Sequence, residues 1–499
     1  MLENRIRRED LKGKVMSAEE AAMLIKDGMT VAASGFTPSG YPKAVPLALA
    51  KRAEHGEKVG ITLLTGASVG DELDGALSRT GVLKRRFPYQ THNDTRNGIN
   101  DGSILYQDMH LSHLPQYMSY GFFGKIDVAI VEALAITEEG GIVPTTSVGI
   151  SPTAVKLAEK VIVEINTSQP MALEGVHDIY IPENPPFRKP IPIEHSGDRI
   201  GTTYIPCDPS KIAAIVVTDI TDKVRPLGPI DEDSRAISGH IIEFLEHEVK
   251  MGRLPKNLLP LQSGVGSVAN AVLGGLVDGP FTDMTCYTEV IQDSMLDLID
   301  AGKVTVASGT SITPSEEGLI RLHKNIEKYA KHIILRPQEI SNNPEVARRL
   351  GVISMNTAIE VDIYGHVNST NIMGSRMMNG IGGSGDYTRN AYISFYTTVS
   401  TAKNGDISSI VPMVSHVDHT EHDVMVVVTE QGLADLRGTS PTERAKRIIE
   451  KCAHPDYKPM LQDYFERALK GKIKHEPHLI GEALSWHQRF LETGSMKIK

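Results

Sequence analysis

Short runs of β-branched residues alternate with helical stretches along almost the whole chain, and this alternation constrains the fold more than any other feature. Such an order of elements is typical of α/β proteins with largely parallel sheets. We predict strands within residues 29–34, 61–66, 127–133, 160–165 and 213–218, and again within residues 303–308, 331–337, 390–400 and 423–430.

The chain is long enough for more than one core, because 499 residues exceed the usual size of a single domain. The alternating pattern breaks at residues 219–236, before a long amphipathic helix. We therefore predict two α/β domains, residues 1–225 and 226–499, with the ligand site in the cleft between them. The halves also echo one another: residues 26–37 resemble 299–311, and residues 126–149 resemble 355–371.

Charge and composition exclude several classes of protein. The net charge of -10 disfavours a nucleic-acid partner, and no apolar run approaches the roughly 18 residues that span a bilayer. The charged N-terminal residues do not read as a signal peptide. Three widely spaced cysteines, Cys207, Cys286 and Cys452, indicate a reducing compartment. We expect a cytoplasmic protein with no membrane and no nucleic-acid partner.

The glycine motif at residues 380–385 matches the dinucleotide pattern G-x-G-x-x-G. A dinucleotide loop needs a strand before it and a helix after it. Here no clear strand precedes the motif, and a strand-like alternation follows it, so we expect either a turn or a backbone loop that contacts a ligand. Residues 263–272 fit the strand–turn–helix context better and could bind an oxyanion or phosphate. With Asp283 and Glu289 at suitable spacing, NAD stays possible at that second motif.

Two further groups of residues could carry chemistry. Glu289 is placed at the start of an amphipathic helix, where the helix dipole favours an ionised, nucleophilic carboxylate. The alternative is an ordinary acid in a first helical turn. The stretch SHVDHTEHD contains His416, His419 and His422. Its flanks favour a hydrogen-bonded polar turn between strands over a metal site, and we predict no metal.

Six segments together resemble the acetyl-CoA hydrolase/transferase family of class I CoA-transferases, a group that includes succinyl-CoA:acetate CoA-transferases. The segments are QSGVGSVANA, CYTEVIQDS, MNTAIEVDIYGHVNST, MMNGIGGSGD, PMVSHVDHTEHDV and VTEQGLADLRG. The resemblance implies two related open α/β domains with the active site in the cleft between them, a homodimer, and the movement of CoA between an acyl-CoA and a carboxylate such as acetate. Coenzyme A is then a substrate, with no tightly bound cofactor.

The resemblance also implies roles for individual residues. Glu289 attacks the thioester, and passes through an acyl-glutamyl anhydride and a glutamyl-CoA thioester. The other residues it assigns to catalysis are Val265, Gly383 and Asn342, and those it assigns to CoA contact are Gln262, Ser263, Gly264, Val265, Ile359, Asn379, Gly383 and Lys403. Residues 34–42 and 65–75 are expected to form loops facing the cleft. An acetyl-CoA hydrolase using the same site, and a non-catalytic ligand-sensing protein on the same fold, are the alternatives.

Overall fold

The first half of the chain forms a mainly parallel sheet in the computed structural model, which describes residues 2–223, 230–264 and 266–498. Its strands are β1 (Thr30–Ala33), β2 (Ile61–Leu64), β3 (Leu83–Phe87), β4 (Leu105–Tyr106), β5 (Val128–Ile136), β6 (Ile142–Pro144), β7 (Lys160–Asn166) and β8 (Ile212–Thr218). The spatial order is β4-β3-β2-β1-β5-β7-β8, and β6 pairs antiparallel with β5. Strand β5 is buried along its whole length, as expected for the centre of a sheet covered on both faces.

The second half forms another mainly parallel sheet. Its strands are β9 (Leu261–Ser263), β10 (Met284–Tyr287), β12 (Val304–Gly309), β14 (Ile333–Leu335), β15 (Ile353–Thr357), β20 (Ile393–Thr397), β24 (Val426–Thr429) and β25 (Gly432–Asp435). The order is β14-β12-β10-β9-β15-β20-β24-β25, and only the last pair is antiparallel.

Nine short strands outside this second sheet form three pairs and one three-stranded sheet. They are β11 (Val290–Ile291), β13 (Ser311–Ile312), β16 (Glu360–Asp362), β17 (Val367–Asn368), β18 (Asn371–Ile372), β19 (Arg376–Met377), β21 (Thr401–Ala402), β22 (Ile407–Ser408) and β23 (Ile410–Val411). With the C-terminal helices they enclose a separate apolar cluster that includes Val361, Tyr396 and Trp486.

Helices cover the sheets on both sides. In the first half they are α1 (Ala18–Ala22), α2 (Ala44–Glu54), α3 (Ala76–Arg79), α4 (Asn93–Asp101), α5 (His113–Ser119) and α6 (Ser151–Leu157). In the second half they are α7 (Glu232–Lys250), α8 (Ser267–Val277), α9 (Asp293–Asp300), α10 (Glu316–Lys324), α11 (Ile326–Tyr329), α12 (Gln338–Ser341), α13 (Pro344–Leu350), α14 (Ser384–Thr388), α15 (Pro441–Cys452), α16 (Lys458–Leu469) and α17 (Ser485–Thr493). No helix in the described part of the chain is both long and apolar enough to cross a membrane.

The two sheets have the same topology. Numbered by chain position, the seven parallel strands of each sheet follow the spatial order 4-3-2-1-5-6-7. This confirms the prediction of two related α/β halves. The echo between residues 126–149 and 355–371 joins equivalent positions, because β5 and β15 are each the fifth strand. The echo between residues 26–37 and 299–311 does not, since β1 is a first strand and β12 is a third.

The halves pack closely against one another. Val148 N donates to Thr310 O at 2.9 Å, and Ile312 N donates to Thr146 O at 2.9 Å. One continuous apolar core includes residues of both sheets, for example Ile136 in the first and Leu335 in the second. The predicted domain boundary between residues 225 and 226 lies outside the described residues, and the division at that point stays a prediction.

Candidate active site

A cleft of about 450 Å³ opens where the two halves meet. It lies beyond the carboxyl ends of β9 and β15, the neighbouring strands at which the strand order of the second sheet reverses. In open α/β sheets, ligands bind at such a point of reversal. Gly264 and Gly266 follow β9, and Asn356 and Thr357 end β15. From the first half come Phe36, Thr37, Pro38, Ala67 and Ser68, which confirms that the loops at residues 34–42 and 65–75 face the cleft.

Glu289 lies in the cleft wall, in the connection between β10 and β11. The expectation of a helical first turn is wrong, because α9 begins only at Asp293. The backbone carbonyl of Glu289 accepts hydrogen bonds from Thr310 N at 2.8 Å and from Ser311 N at 3.2 Å. These bonds tie the glutamate to the strand pair β11–β13, which holds it rigidly at the edge of the sheet.

The pKa of the Glu289 carboxyl is raised from 4.5 to about 8. Burial is the largest cause, and the nearby Asp386 carboxylate raises it further, while Asn342 opposes the change. The expectation that a helix dipole keeps Glu289 ionised is therefore wrong. The raised pKa favours the protonated form of Glu289 near neutral pH, although the residue keeps some exposure toward the cleft.

The prediction missed a second buried carboxylate beside Glu289. Asp386, in α14, accepts hydrogen bonds from Ser112 N at 3.0 Å and from Ser112 Oγ at 2.6 Å. Burial raises the pKa of Asp386 to about 7. Asp386 belongs to the segment MMNGIGGSGD, so its carboxylate next to the glycine motif was the available signal. The two carboxylates interact, because the charge of Asp386 raises the pKa of Glu289.

Asn342 lies between the two carboxylates, and Asn343 does not. The Asn343 side chain caps α13 by accepting from Glu345 N at 3.0 Å. The Asn342 amide lowers the pKa of both Glu289 and Asp386. Its Nδ2 atom is buried and lacks a hydrogen bond of good geometry. The arrangement therefore leaves a buried donor beside the cleft.

The glycine motif at residues 380–385 presses its backbone against Glu289. A Cβ built on Gly383 would overlap Glu289 Oε1 and Asn342 Nδ2. Gly382 has φ of +62°, which favours glycine. The expected flanks are wrong, since the short strand β19 precedes the motif and α14 begins at Ser384 within it. A five-residue helix facing a carboxylate nevertheless does not suit a pyrophosphate, so the backbone-loop interpretation is favoured.

The second glycine motif has the predicted strand–turn–helix context. Gly264 N donates to Met355 O at 3.0 Å, and Gly266 has φ of +140° immediately before α8. Val265 lies outside the described residues. Asp283 precedes β10, at the opposite end of the strand from the cleft. It therefore cannot hold a ribose at this glycine turn, which removes one of the two acids that kept NAD possible.

The residues predicted to contact CoA are not all in the cleft wall. Asn379 lines the cleft, and its buried Oδ1 accepts no hydrogen bond. Gln262 and Ser263 are buried in β9, where Gln262 Oε1 accepts from Met355 N at 3.2 Å. Ile359 and Lys403 lie outside the cleft lining. Lys403 is exposed, with its Nζ 5.4 Å from the centre of the Phe490 ring. Their roles stay predictions.

The histidine-rich stretch is a hydrogen-bonded turn, as predicted. Asp418 accepts from Ser369 N at 2.7 Å and from Thr370 Oγ1 at 2.9 Å. His419 Nε2 lies 2.9 Å from Ser384 Oγ, and burial lowers the pKa of His419 to about 3. A neutral His419 therefore contacts the end of the glycine motif through Ser384.

One group of acidic and histidine side chains in the described ranges has the spacing of a metal site, namely Asp71, His92 and Asp94. Arg79 Nη1 lies 2.6 Å from an oxygen of each aspartate. The guanidinium already neutralises these carboxylates, so the group is a salt-bridge cluster on the surface.

Comparison with known proteins identifies the family. Residues 1–217 match the acetyl-CoA hydrolase/transferase N-terminal domain, and residues 318–465 match the C-terminal domain. The chain is 61% identical to the succinyl-CoA:acetate CoA-transferase of Clostridium kluyveri over 99% of its own length and 92% of the relative's. It is 48% identical to the acetyl-CoA hydrolase of Candida albicans, covering 100% of this chain and 98% of the relative.

Solved structures agree on the fold. RipA from Yersinia pestis has a TM-score of 0.71 at 24% identity, covering 91% of this chain and 97% of that one. The 4-hydroxybutyrate CoA-transferase from Porphyromonas gingivalis has a TM-score of 0.65 at 22% identity, and the match covers 92% of this chain and 99% of that one. The two family domains match most of the chain, and the relative from Clostridium kluyveri matches nearly all of it. The protein therefore belongs to the acetyl-CoA hydrolase/transferase family of enzymes.

Proposed function

We propose that the protein is a CoA-transferase that moves coenzyme A between a short-chain acyl-CoA and a carboxylate such as acetate, with Glu289 as the nucleophile. One observation carries the proposal: the Glu289 carboxylate faces the backbone of Gly383 in a cleft at the carboxyl edge of the second sheet. Acyl transfer requires a nucleophile close to backbone N–H groups that can stabilise the negative charge on the carbonyl oxygen.

The reaction would proceed by two exchanges on Glu289. An ionised Glu289 oxygen attacks the thioester carbonyl carbon, and the C–S bond breaks to release CoA thiolate and leave an acyl-glutamyl anhydride. The thiolate then attacks the glutamyl carbonyl, which releases the first carboxylate and forms a glutamyl-CoA thioester. An incoming carboxylate reverses both steps and leaves as the new acyl-CoA. The activation of the thioester is conserved throughout.

The environment of Glu289 suits this chemistry in one respect and restrains it in another. Desolvation raises the pKa to about 8, so the ionised form is a minority at neutral pH but is a more basic nucleophile. Each attack places negative charge on a carbonyl oxygen, and backbone N–H groups of the glycine loop are the candidate donors to it. The Asn342 amide is suited to hold the Glu289 carboxylate in place.

An acetyl-CoA hydrolase is the second candidate, because the Candida albicans relative carries that name. The two activities differ in whether water or a carboxylate resolves the glutamyl-CoA thioester, and exclusion of water decides between them. The expected homodimer also stays part of this proposal, and light scattering on the purified protein would test it.

A product assay separates the candidates. Acetyl-CoA is supplied without an acceptor and then with succinate, propionate or butyrate, while free thiol and new acyl-CoA are measured separately. We expect new acyl-CoA with little free thiol, and none of either from Glu289→Ala. Free thiol that is formed equally without an acceptor would make the enzyme a hydrolase. Full activity of Glu289→Ala would refute the mechanism, and no turnover of any acyl-CoA by the folded wild-type protein would favour a ligand-binding role.

A further inference from the structure

Residues 108–112, between β4 and α5, form a cradle for the glycine loop. Although they belong to the first half, they bond at three points to the glycine loop and to the helix α14 that follows it. Ile381 N donates to the Asp108 carboxylate at 2.9 and 3.0 Å, and Leu111 N donates to Gly382 O at 3.2 Å. The third link is the pair of hydrogen bonds from Ser112 to Asp386.

The third link ends beside the reacting group. Asp386 is almost fully buried, with 3% exposure, and both of its carboxylate oxygens accept from Ser112. The backbone of Gly383, three residues before Asp386, lies directly against Glu289 Oε1 and Asn342 Nδ2, and Asn342 lowers the pKa of both carboxylates. The helix that carries Asp386 is therefore anchored to the first half, and it begins directly after the backbone that lies against Glu289 and Asn342.

We propose that Asp386, anchored by Ser112 of the other half, is a positioning residue that orients the Asn342 amide toward Glu289 and controls when Glu289 ionises. The inference rests on the proposed function, because it concerns the same carboxylate. Asp386 touches no reacting atom. It acts through Asn342 and through its own negative charge, which opposes a second charge on Glu289.

Among the residues that the structure describes, no lysine or arginine shifts the pKa of Glu289 or Asp386. Tyr387 is fully buried, and its hydroxyl donates to Ser341 O. The His110 ring packs against Gly385, and burial lowers the His110 pKa, so it is neutral at and above neutral pH. Asp108 lies under the loop, and burial raises its pKa to about 7. None of the three is a cation that could neutralise the Glu289–Asp386 pair.

Removing the charge of Asp386 should therefore lower the pH at which Glu289 ionises. In Asp386→Asn we expect the midpoint of kcat/KM against pH to fall by roughly one unit, while the maximal rate falls because Asn342 is no longer held. Ser112→Ala should shift the midpoint the same way by a smaller amount. Without its donors Asp386 keeps its proton longer and repels Glu289 less.

Asp423→Asn is the matched control. It also removes one negative charge, but Asp423 is partly exposed and its Oδ1 lies 4.0 Å from Arg389 Nε. Its pH midpoint should equal that of the wild type. Thermal unfolding of every variant shows whether it is folded, and Ser112→Ala carries the test if Asp386→Asn is not.

A second readout does not need activity. The carboxyl carbon of Glu289 is followed by NMR in protein labelled at glutamate, and its signal is assigned by its disappearance in Glu289→Gln. A lower midpoint in Asp386→Asn and Ser112→Ala supports the proposal even if the enzyme proves not to be a transferase. An unchanged midpoint in both folded variants, with or without loss of rate, would mean that Asp386 is only structural and would overturn it.

Discussion

Replacing Glu289 by glutamine should make the folded protein more stable at alkaline pH, because a buried ionised Glu289 carboxylate destabilises the folded state. Its pKa is about 8 in the folded protein and 4.5 in a solvated chain. The stability that its protonated form contributes is fully present below the lower value, and is lost as the pH rises through the higher one. Above about pH 8, wild-type folding must bury an ionised Glu289, whereas glutamine remains neutral.

The size of the effect follows from the same two values. A difference between 4.5 and about 8 corresponds to at most about 5 kcal/mol, at about 1.4 kcal/mol per pH unit. Glu289 borders the cleft and keeps some contact with solvent. We therefore expect about 1–2 kcal/mol after solvent screening, equivalent to about 1–3 °C in the thermal midpoint of a chain this long.

The assay compares thermal midpoints of wild type and Glu289→Gln at about pH 5 and about pH 9. The variant should match the wild type in acid and exceed it in base. Glu248→Gln is the control of opposite sign, because Arg253 and Arg437 hold the pKa of Glu248 down to about 2. That variant should be destabilised at both pH values. A Glu289→Gln protein that is less stable at about pH 9, or equally stabilised at both, would refute the reasoning.

Three other changes test the site. Gly383→Ala should reduce kcat/KM by about a hundredfold or more, measured as acyl-CoA formation, because its Cβ would displace Glu289 and Asn342; wild-type activity would contradict this geometry. Asn343→Ala should lower the free energy of unfolding by about 1 kcal/mol through loss of a helix cap and leave kcat/KM unchanged. Asn342→Ala should lower kcat/KM and leave the free energy of unfolding unchanged. If the two variants changed both quantities equally, the separate roles of Asn342 and Asn343 would be contradicted. For the wild type, kcat/KM should rise with pH through about 8 as Glu289 ionises, and a plateau already reached near the usual glutamate pKa of 4.5 would exclude Glu289 as the titrating nucleophile.

The strands of both sheets could be predicted where their residues are apolar on both faces. Strand β3 escaped prediction because its sequence, LKRRF, is highly charged. Lys84 and Arg85 are exposed, but Arg86 is buried, and its Nε donates to Asp74 Oδ1 at 2.9 Å. An arginine paired inside the fold looks the same in the sequence as one in solvent, so a local pattern could not distinguish them.

Glu289 shows the same limit at the level of chemistry. Its importance was implied by the segment CYTEVIQDS, but its ionisation was predicted with the wrong sign. The local sequence suggested a helix start, whereas β11 pairs with β13, about twenty residues further along the chain, and keeps Glu289 out of the helix. Burial in the assembled cleft is the largest cause of its raised pKa, and the two groups that modify the pKa, Asp386 and Asn342, are distant in sequence. Electrostatics at such a site are a property of the assembled fold.

The site is assembled across a seam that the structure joins firmly. A two-domain cleft suggests closure on a bound ligand, yet the halves share one apolar core and a buried Arg336–Asp178 ion pair. Opening between the sheets would expose that core and strand both charges, each at substantial cost. The glycine loop is likewise fastened to the first half through residues 108–112. These contacts hold the two sides of the cleft together, so we expect little change in the geometry around Glu289 when a ligand binds.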